Sequence, residues 1–329
     1  MRIFLILSAM VFLFTACGGE QSHLQREQAV LANYPEATAA MTLVQVSEHS
    51  YYVQGAAGVA TDNQGFISNA GAIVTNDGVV IFDALGSPAL ASKMIRLLRE
   101  VTEQPIKRVI MSHYHADHIY GLQLYKEIGA EIYAPRGAMD YLESPLAAER
   151  LEERRFSLDP WVNEKTYLVK PDHILEASTS QQLGGVTMSI NYLGGAHSEG
   201  DLTLLVEEDR VLYSGDIIFE GRVAFLGDAD TRHWLQTLEK METSGLAGLI
   251  PGHGPAAKDP TKAIAQTRRY LAYIRKVMGE AVEEFVPFSE AYEAADWSEF
   301  EKLPAFAAAN RRNAYQVFLS MEQESLPEQ

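Results

Sequence analysis

Residues 113–118 read His113-Tyr114-His115-Ala116-Asp117-His118. After Ser112, they follow the strand candidate Ile106 to Met111. Alternate side chains of an extended chain point to the same side, so His113 and His115 share one face. A helical pattern follows, and the turn into that helix brings Asp117 and His118 back toward the strand end. Imidazole and carboxylate groups, both zinc ligands, thus meet where a strand passes into a helix.

A purely structural role would explain a single histidine at such a strand end. It does not explain four titratable side chains within six residues. Groups of this kind crowd together only where a bound cation offsets their charge and their burial. The run therefore predicts a metal site.

Three further segments place histidine or aspartate beside glycine, later in the chain. They are Gly194-Gly195-Ala196-His197-Ser198, Leu212-Tyr213-Ser214-Gly215-Asp216 and Pro251-Gly252-His253-Gly254. An earlier carboxylate, Asp83, follows the apolar strand candidate Val79 to Phe82. The glycines are expected to permit the backbone turns that present the His197 and His253 rings.

In order and spacing, these segments resemble the motifs of the metallo-β-lactamase-fold hydrolases, across roughly residues 42–275. The resemblance implies an α/β protein with the αββα four-layer sandwich, in which two sheets pack face to face beneath outer helices. It also implies a zinc-dependent hydrolase with two Zn2+ ions per chain.

The same resemblance implies a place for each ligand. His113, His115 and His197 hold the first zinc, Asp117, His118 and His253 hold the second, and Asp216 bridges both. A metal-bridging hydroxide attacks the carbonyl group of a small-molecule substrate, and Asp117 orients the attacking water or takes its proton as the catalytic residue. Asp83 is a candidate to fix a ligand imidazole from behind. A strand-end cap is the alternative for Asp83.

Four positions bear on the subgroup. His115 stands where the oxygen-reducing diiron members carry glutamate, which favours zinc. Asp216 stands where one group of true β-lactamases uses cysteine, and Phe219 stands where that group has a carboxylate-binding lysine. Arg222 is only a weak substitute for that lysine. The complete His/Asp ligand set looks more like the glyoxalase-II-type thioesterases and their broad relatives.

The substrate is expected to be a thioester, β-lactam, lactone or ester. A strict β-lactamase that hydrolyses antibiotics stays open as an alternative, and so does a periplasmic hydrolase accompanying a quinoprotein oxidation system. A non-catalytic metal-binding module is disfavoured by the intact ligand set. A phosphodiesterase or nuclease is disfavoured by the acidic chain.

Composition narrows the choice of partners. The 329 residues carry a formal net charge of −17 at pH 7, which repels phosphate backbones, so no nucleic-acid partner is expected. Hydrophobic residues make up 47% and charged residues 22%, as in an ordinary globular enzyme. Cys17 is the only cysteine, so the body of the chain has neither a disulfide nor a catalytic thiol.

The first residues have the pattern of a signal peptide, predicted over residues 1–16. Arg2 precedes an apolar run from Ile3 to Ala16, which suits a signal peptide and is too short to span a bilayer. The small residues before Cys17 resemble a bacterial lipobox, in which Cys17 is lipidated; ordinary cleavage near Ala16 is the alternative. We therefore expect an exported, periplasmic lipoprotein attached to the membrane only through this lipid. Gly18 weakly favours the outer membrane.

The rest of the chain divides into three predicted segments. Residues 17–40 form a polar tether, residues 41–285 the catalytic domain, and residues 286–329 a C-terminal helical extension. The clearest helical patterns cover Ser87 to Val101, Asp117 to Ile128 and Pro260 to Glu283.

Overall fold

The computed structural model describes residues 22–241, 243 and 245–326. The predicted signal peptide, residues 1–16, and the lipidation candidate Cys17 lie outside the described residues. Among the residues that are described, no helix combines the length and the apolar character needed to cross a membrane.

Seven strands form the first sheet, side by side in chain order. They are β1 (Leu43–Gln45), β2 (Ser50–Val53), β3 (Ala70–Thr75), β4 (Gly78–Phe82), β5 (Ile106–Ile110), β6 (Glu131–Pro135) and β7 (His173–Leu175). Strands β1 to β4 pair antiparallel, whereas β4 to β7 pair parallel. The carboxyl ends of β4 and β5 therefore lie at the same edge of the sheet.

Five strands form the second sheet. They are β8 (Thr179–Leu183), β9 (Val186–Gly194), β10 (Asp201–Val206), β11 (Val211–Tyr213) and β12 (Gly248–Ile250), in the spatial order β12-β11-β10-β9-β8. Only β11 and β12 pair parallel.

Helices connect and cover these strands. They are α1 (His23–Leu31), α2 (Pro88–Leu98), α3 (Ala116–Ile119), α4 (Leu122–Ile128), α5 (Arg136–Glu143), α6 (Pro145–Ser157), α7 (Thr231–Lys240), α8 (Pro260–Glu283), α9 (Phe288–Ala294) and α10 (Phe306–Ser325). The segment assigned to the C-terminal extension contains α9 and α10, and both pack on α8.

Strand β4 shows how the layers stack. Val79 and Ile81 pack into the core beneath α2 and α4, whereas Val80 and Phe82 pack into the core between the two sheets. A strand that is buried on both faces has a continuous apolar sequence, because its alternate side chains pack into different cores. A third core lies between the second sheet and α7, α8 and α10. The predicted αββα four-layer sandwich is confirmed.

One predicted helix differs from the structure. The pattern from Asp117 to Ile128 forms two helices, α3 and α4, with a break at Gly121. The backbone nitrogen of Gly121 donates a hydrogen bond to the Leu85 carbonyl oxygen at 3.1 Å. A Cβ at this position would lie only 1.8 Å from the Ala84 carbonyl oxygen. Close packing against the loop after β4 therefore interrupts the helix.

The two sheets are joined at one end by Asp209, in the turn between β10 and β11. Its carboxylate accepts hydrogen bonds from Ser50 Oγ at 2.6 Å, from His49 N at 3.0 Å and from His49 Nδ1 at 2.8 Å, and it also accepts one from Ser47 Oγ. Burial opposes ionisation, but these hydrogen bonds outweigh it and hold the pKa of Asp209 below its usual value.

We expect Asp209→Asn to lower the free energy of unfolding at pH 7 by about 1–3 kcal/mol, because the amide nitrogen cannot accept these hydrogen bonds. The folded-state pKa lies below the unfolded value of about 3.9. The carboxylate's stabilisation is therefore fully present above that unfolded value, and it is lost as pH falls through the folded-state pKa.

Urea unfolding of the wild type and the variant between neutral and acidic pH measures this effect. The difference between the two proteins should narrow as pH falls below about 4. Asp140→Asn, an exposed carboxylate on α5, is the control and should be near neutral. A difference that stays constant down to the acid limit of folding would contradict the assignment.

Candidate metal centre

The sequence-predicted ligands come together at one edge of the sandwich, each in a segment that follows a strand. The segments are residues 113–118 after β5, His197 after β9, Asp216 in the 3-10 turn Gly215–Ile217 after β11, and His253 after β12. His115 is the N-cap residue of α3, so the chain changes there from extended to helical. Strand ends in both sheets thus supply rigid mounts for the site.

The first group of donor atoms belongs to His113, His115, His197 and Asp216. His115 Nδ1 lies 3.0 Å from His113 Nε2 and 2.9 Å from His197 Nε2. His197 Nε2 lies 3.3 Å from Asp216 Oδ2. Three ring nitrogens and one carboxylate oxygen therefore converge on one point.

The second group comprises Asp117, His118 and His253. Asp117 Oδ2 lies 3.6 Å from His118 Nε2 and 3.3 Å from His253 Nε2. The Asp216 carboxylate stands between the groups, since its Oδ1 is 3.2 Å from His118 Nε2 and its Oδ2 is 3.2 Å from His253 Nε2. Asp216 is therefore placed to contact both sites.

Unpartnered buried atoms show that these side chains fit metal ions. Among the described residues, His118 Nε2 and Asp216 Oδ1 are buried and form no hydrogen bond of suitable geometry, although the two atoms lie 3.2 Å apart. Leaving such atoms unpaired is costly. All seven donors are imidazole nitrogen or carboxylate oxygen, the set that zinc uses in catalytic sites.

Other groups hold the outward ring nitrogens of His113 and His253, whereas His197 Nδ1 is buried without a hydrogen-bond partner among the described residues. His113 Nδ1 pairs with Ser112 Oγ at 2.9 Å, and His253 Nδ1 donates to the Ile67 carbonyl oxygen at 2.7 Å. Fixing one ring nitrogen sets the tautomer and leaves the other free for a metal.

Asp83 lies behind the second group. Its Oδ2 accepts hydrogen bonds from His118 Nδ1 at 2.9 Å and from Ser112 Oγ at 2.8 Å, and its Oδ1 accepts one from Ser112 N at 2.7 Å. The Asp83 side chain thus contacts both the His118 imidazole and the chain after β5. Asp83 has a φ of +65°, a left-handed backbone that is uncommon for a residue other than glycine.

Glycine is required next to Asp216. A Cβ at Gly252 would lie 2.0 Å from Asp216 Oδ1. Gly252, beside His253, therefore allows close packing against the Asp216 carboxylate, in addition to the expected role of glycine in the backbone turn.

Two carboxylates that the sequence interpretation missed support the site. Asp201 accepts hydrogen bonds from Ala196 N, Ser198 N and Ser198 Oγ, all at 3.0 Å, and so closes the loop that carries His197. Burial raises the pKa of Asp201 to about 7, against the effect of these hydrogen bonds. The spacing His-x-x-x-Asp was the only signal in the sequence.

Asp228 is the second missed carboxylate. Its Oδ1 lies 3.1 Å from His115 Nε2, and its Oδ2 accepts a hydrogen bond from Tyr114 OH at 2.8 Å. Burial opposes ionisation, but these contacts hold the pKa of Asp228 below its usual value. Nothing local marks Asp228, because it is 113 residues from His115 in the chain.

A cavity of about 620 Å3 opens over both groups. Asp117, His115 and His253 lie on its floor, and its walls come from both halves of the sandwich. This volume is typical of a small-molecule site.

The sequence model of the metallo-beta-lactamase superfamily matches residues 63–253, which contain the complete donor set. The chain belongs to the metallo-β-lactamase superfamily. Membership identifies the protein as a hydrolase, and the superfamily typically binds zinc.

Two similar proteins are type 2 metallo-beta-lactamases. The protein from Bacteroides fragilis is 23% identical over 192 residues, 57% of this chain and 69% of the relative. The protein from Elizabethkingia meningoseptica is 27% identical over 196 residues, with the same coverage.

Solved structures share the fold. A metallo-beta-lactamase from Pontibacter korlensis superposes with a TM-score of 0.57 at 17% identity, covering 71% of this chain and 99% of its own. A sec-alkylsulfatase from Pseudomonas sp. superposes with a TM-score of 0.65 at 17% identity, covering 87% of this chain and 50% of its own.

Proposed function

We propose that this hydrolase binds two zinc ions and cleaves a carbonyl substrate, namely a thioester, β-lactam, lactone or ester. The observation that carries the proposal is the arrangement of seven donors in two groups on either side of the Asp216 carboxylate. His113, His115 and His197 would hold the first ion, Asp117, His118 and His253 the second, and Asp216 both.

Zinc held by these residues would supply Lewis acidity and, by lowering the pKa of bound water, a hydroxide nucleophile at neutral pH. Asp117 lies on the cavity floor and is held by its backbone, whose carbonyl oxygen accepts a hydrogen bond from Ser68 Oγ at 2.6 Å. Its carboxylate can orient the attacking water, take its proton and pass that proton to the leaving group. Asp83 keeps His118 in the orientation that presents Nε2.

A strict β-lactamase is the second candidate, and the names of the curated relatives favour it. The residue at the position of the expected carboxylate-binding lysine argues against a strict β-lactamase, because it is Phe219. Phe219 there is fully buried and stacks on the His253 ring at 5.0 Å between centroids. Arg222, beside His253, is the nearby cation, with its NH1 3.3 Å from His253 Nδ1.

Metal analysis combined with a hydrolysis panel tests the proposal. The panel contains a chromogenic cephalosporin, a glutathione thioester, an aryl ester, a homoserine lactone and a phosphodiester. We expect about two zinc ions per chain and chelator-sensitive turnover of one carbonyl substrate. A zinc-loaded protein that cleaves only the cephalosporin would favour the second candidate, and a protein that binds no zinc after reconstitution would contradict both.

We also propose that the protein is exported and tethered to a membrane by lipidation of Cys17, as the lipobox resemblance indicates. Cys17→Ser should move the protein from the membrane fraction to the soluble fraction of the producing cell, with unchanged turnover, because the tether precedes the catalytic domain. Cell fractionation with immunodetection measures this. A variant that still sediments with membranes would show that Cys17 is not the anchor.

A further inference from the structure

Two helices from opposite halves of the fold form the outer walls of the cavity. On α6 the lining residues are Leu146, Arg150, Glu153 and Arg154, and on α10 they are Ala308, Ala309, Arg312 and Gln316. Within each helix these residues are one, three, four, seven or eight positions apart, so each set lies along one side of its helix. The cavity therefore has a defined rim built from two helix faces.

Two of the three arginines on this rim are not matched by acids. Arg150 forms an ion pair with Glu153 at 2.9 Å. Within the described part of the chain, neither Arg154 nor Arg312 forms an ion pair or a side-chain hydrogen bond, as the interactions recorded for both helices show. Two guanidinium groups without a carboxylate partner thus face one cavity in a chain whose net charge is −17.

Aromatic rings lie between this rim and the ligand candidates on the floor of the cavity. The Arg312 guanidinium carbon lies 5.4 Å from the centre of the Phe225 ring, and that ring lies 6.1 Å from the His115 ring. On the opposite wall Tyr141 stacks on Tyr114 at 4.5 Å. One ring, Phe225, therefore stands between Arg312 and the ligand candidate His115.

The same rim is partly apolar. Val59 and Leu146 are 42% and 51% exposed and line the cavity, and Ala308 and Ala309 leave room beside α10. Apolar surface next to unpaired guanidinium groups fits a molecule that carries an anion at the end of an apolar segment. Arginine binds carboxylate, phosphate and sulfate oxygens through two parallel hydrogen bonds.

We propose that Arg154 and Arg312 bind an anionic group on the substrate, while the apolar segment of that substrate lies along Val59, Leu146 and Ala308. The inference rests on the proposed function, because it assigns the part of the substrate that is remote from the scissile bond. The two arginines are binding residues, so their loss should raise KM and change kcat little.

Calorimetric titration of the zinc-loaded protein tests this with hexanoate, hexyl phosphate, hexyl sulfate and the uncharged hexanamide. We expect at least one anion to bind about tenfold more tightly than hexanamide, and the tightest anion to identify the head group. Arg312→Gln should weaken anion binding about tenfold, and the double variant Arg154→Gln/Arg312→Gln should weaken it further. Hexanamide binding should not change.

Arg311→Gln is the matched control, since Arg311 neighbours Arg312 on α10 but stacks on Phe288 and Tyr292 outside the cavity lining. It should bind every probe like the wild type. Zinc content and the unfolding temperature of each variant show whether the metal site is intact. Direct coordination of hexanoate by zinc would be insensitive to both arginines, so equal affinities in wild type and double variant would overturn the proposal.

A second readout separates this inference from the proposed function. If an aryl ester is turned over, the half-ester of glutaric acid with 4-nitrophenol should show a lower KM than 4-nitrophenyl butyrate, and Arg312→Gln should remove that difference. If both esters are hydrolysed and neither arginine substitution changes their KM values, the proposed hydrolase function stands and the anion site is overturned. Arginine-dependent anion binding without hydrolysis of any carbonyl substrate supports the anion site and contradicts the proposed function.

Discussion

Replacing Asp117 by Asn is expected to lower kcat by about 10³-fold or more, while the protein still folds and binds at least one zinc ion. Asp117 has two proposed roles, as a ligand of the second ion and as the group that takes the proton of the attacking water. The amide cannot accept that proton, and it is a weaker ligand. The first group, His113, His115 and His197, does not depend on Asp117 and should keep its ion.

Steady-state kinetics on the substrate found in the panel, zinc content per chain and thermal unfolding measure the three parts of this prediction. Asp62→Asn, an exposed carboxylate in the 3-10 helix Ala60–Asn63, is the control and should leave all three unchanged. A near-normal kcat in the Asp117 variant would remove the proton-transfer role. Loss of both zinc ions would instead indicate that the two groups fold as one unit.

Removing the metal is expected to abolish turnover and to lower the unfolding temperature by about 10 °C. An ion that binds only the folded protein stabilises it by about 4 kcal/mol when its free concentration is about 1,000 times Kd. The structure adds a second reason: without a cation, the carboxylate of Asp216 is buried at 4% exposure among imidazole nitrogens, and Asp216 Oδ1 forms no hydrogen bond among the described residues.

Differential scanning calorimetry with and without a chelator measures the shift, and added zinc should restore both the unfolding temperature and turnover. His197→Ala provides the comparison, because it removes one donor of the first group and should make the chelator-induced shift smaller. A protein verified to be free of zinc that still turns over substrate at the original rate would contradict the proposed chemistry.

The architecture was predictable because its signals are local. The continuous apolar run Val79 to Phe82 predicts a strand that is buried on both faces, and the structure has a strand there. The helical pattern of Pro260–Glu283 predicts a helix that is buried on one face, and the structure has a helix there. Helix boundaries were less predictable where the backbone of a segment distant in sequence packs against the helix. Gly121 interrupts a helical pattern because Ala84, 37 positions away in sequence numbering, occupies the space of a side chain.

The seven ligand candidates were predicted in two ways. The four in residues 113–118 came from residue type and position, and His197, Asp216 and His253 came from the resemblance to the family's motifs. Their assignment to two ions came from the resemblance, and the structure places the donor atoms in two groups with Asp216 between them. Their occupancy and roles stay predictions until zinc is measured.

Residue type and short-range periodicity specified the four donors of residues 113–118 and the strand end that carries them, and the resemblance to the family's motifs supplied the other three. Tertiary packing alone decided which groups support those donors and what faces the substrate. Asp228 reaches His115, and Arg312 on α10 lines the same cavity as Arg154 on α6, only because the two halves close face to face. Contacts between segments more than a hundred residues apart depend on how whole layers pack, and no local pattern in the chain encodes that distance.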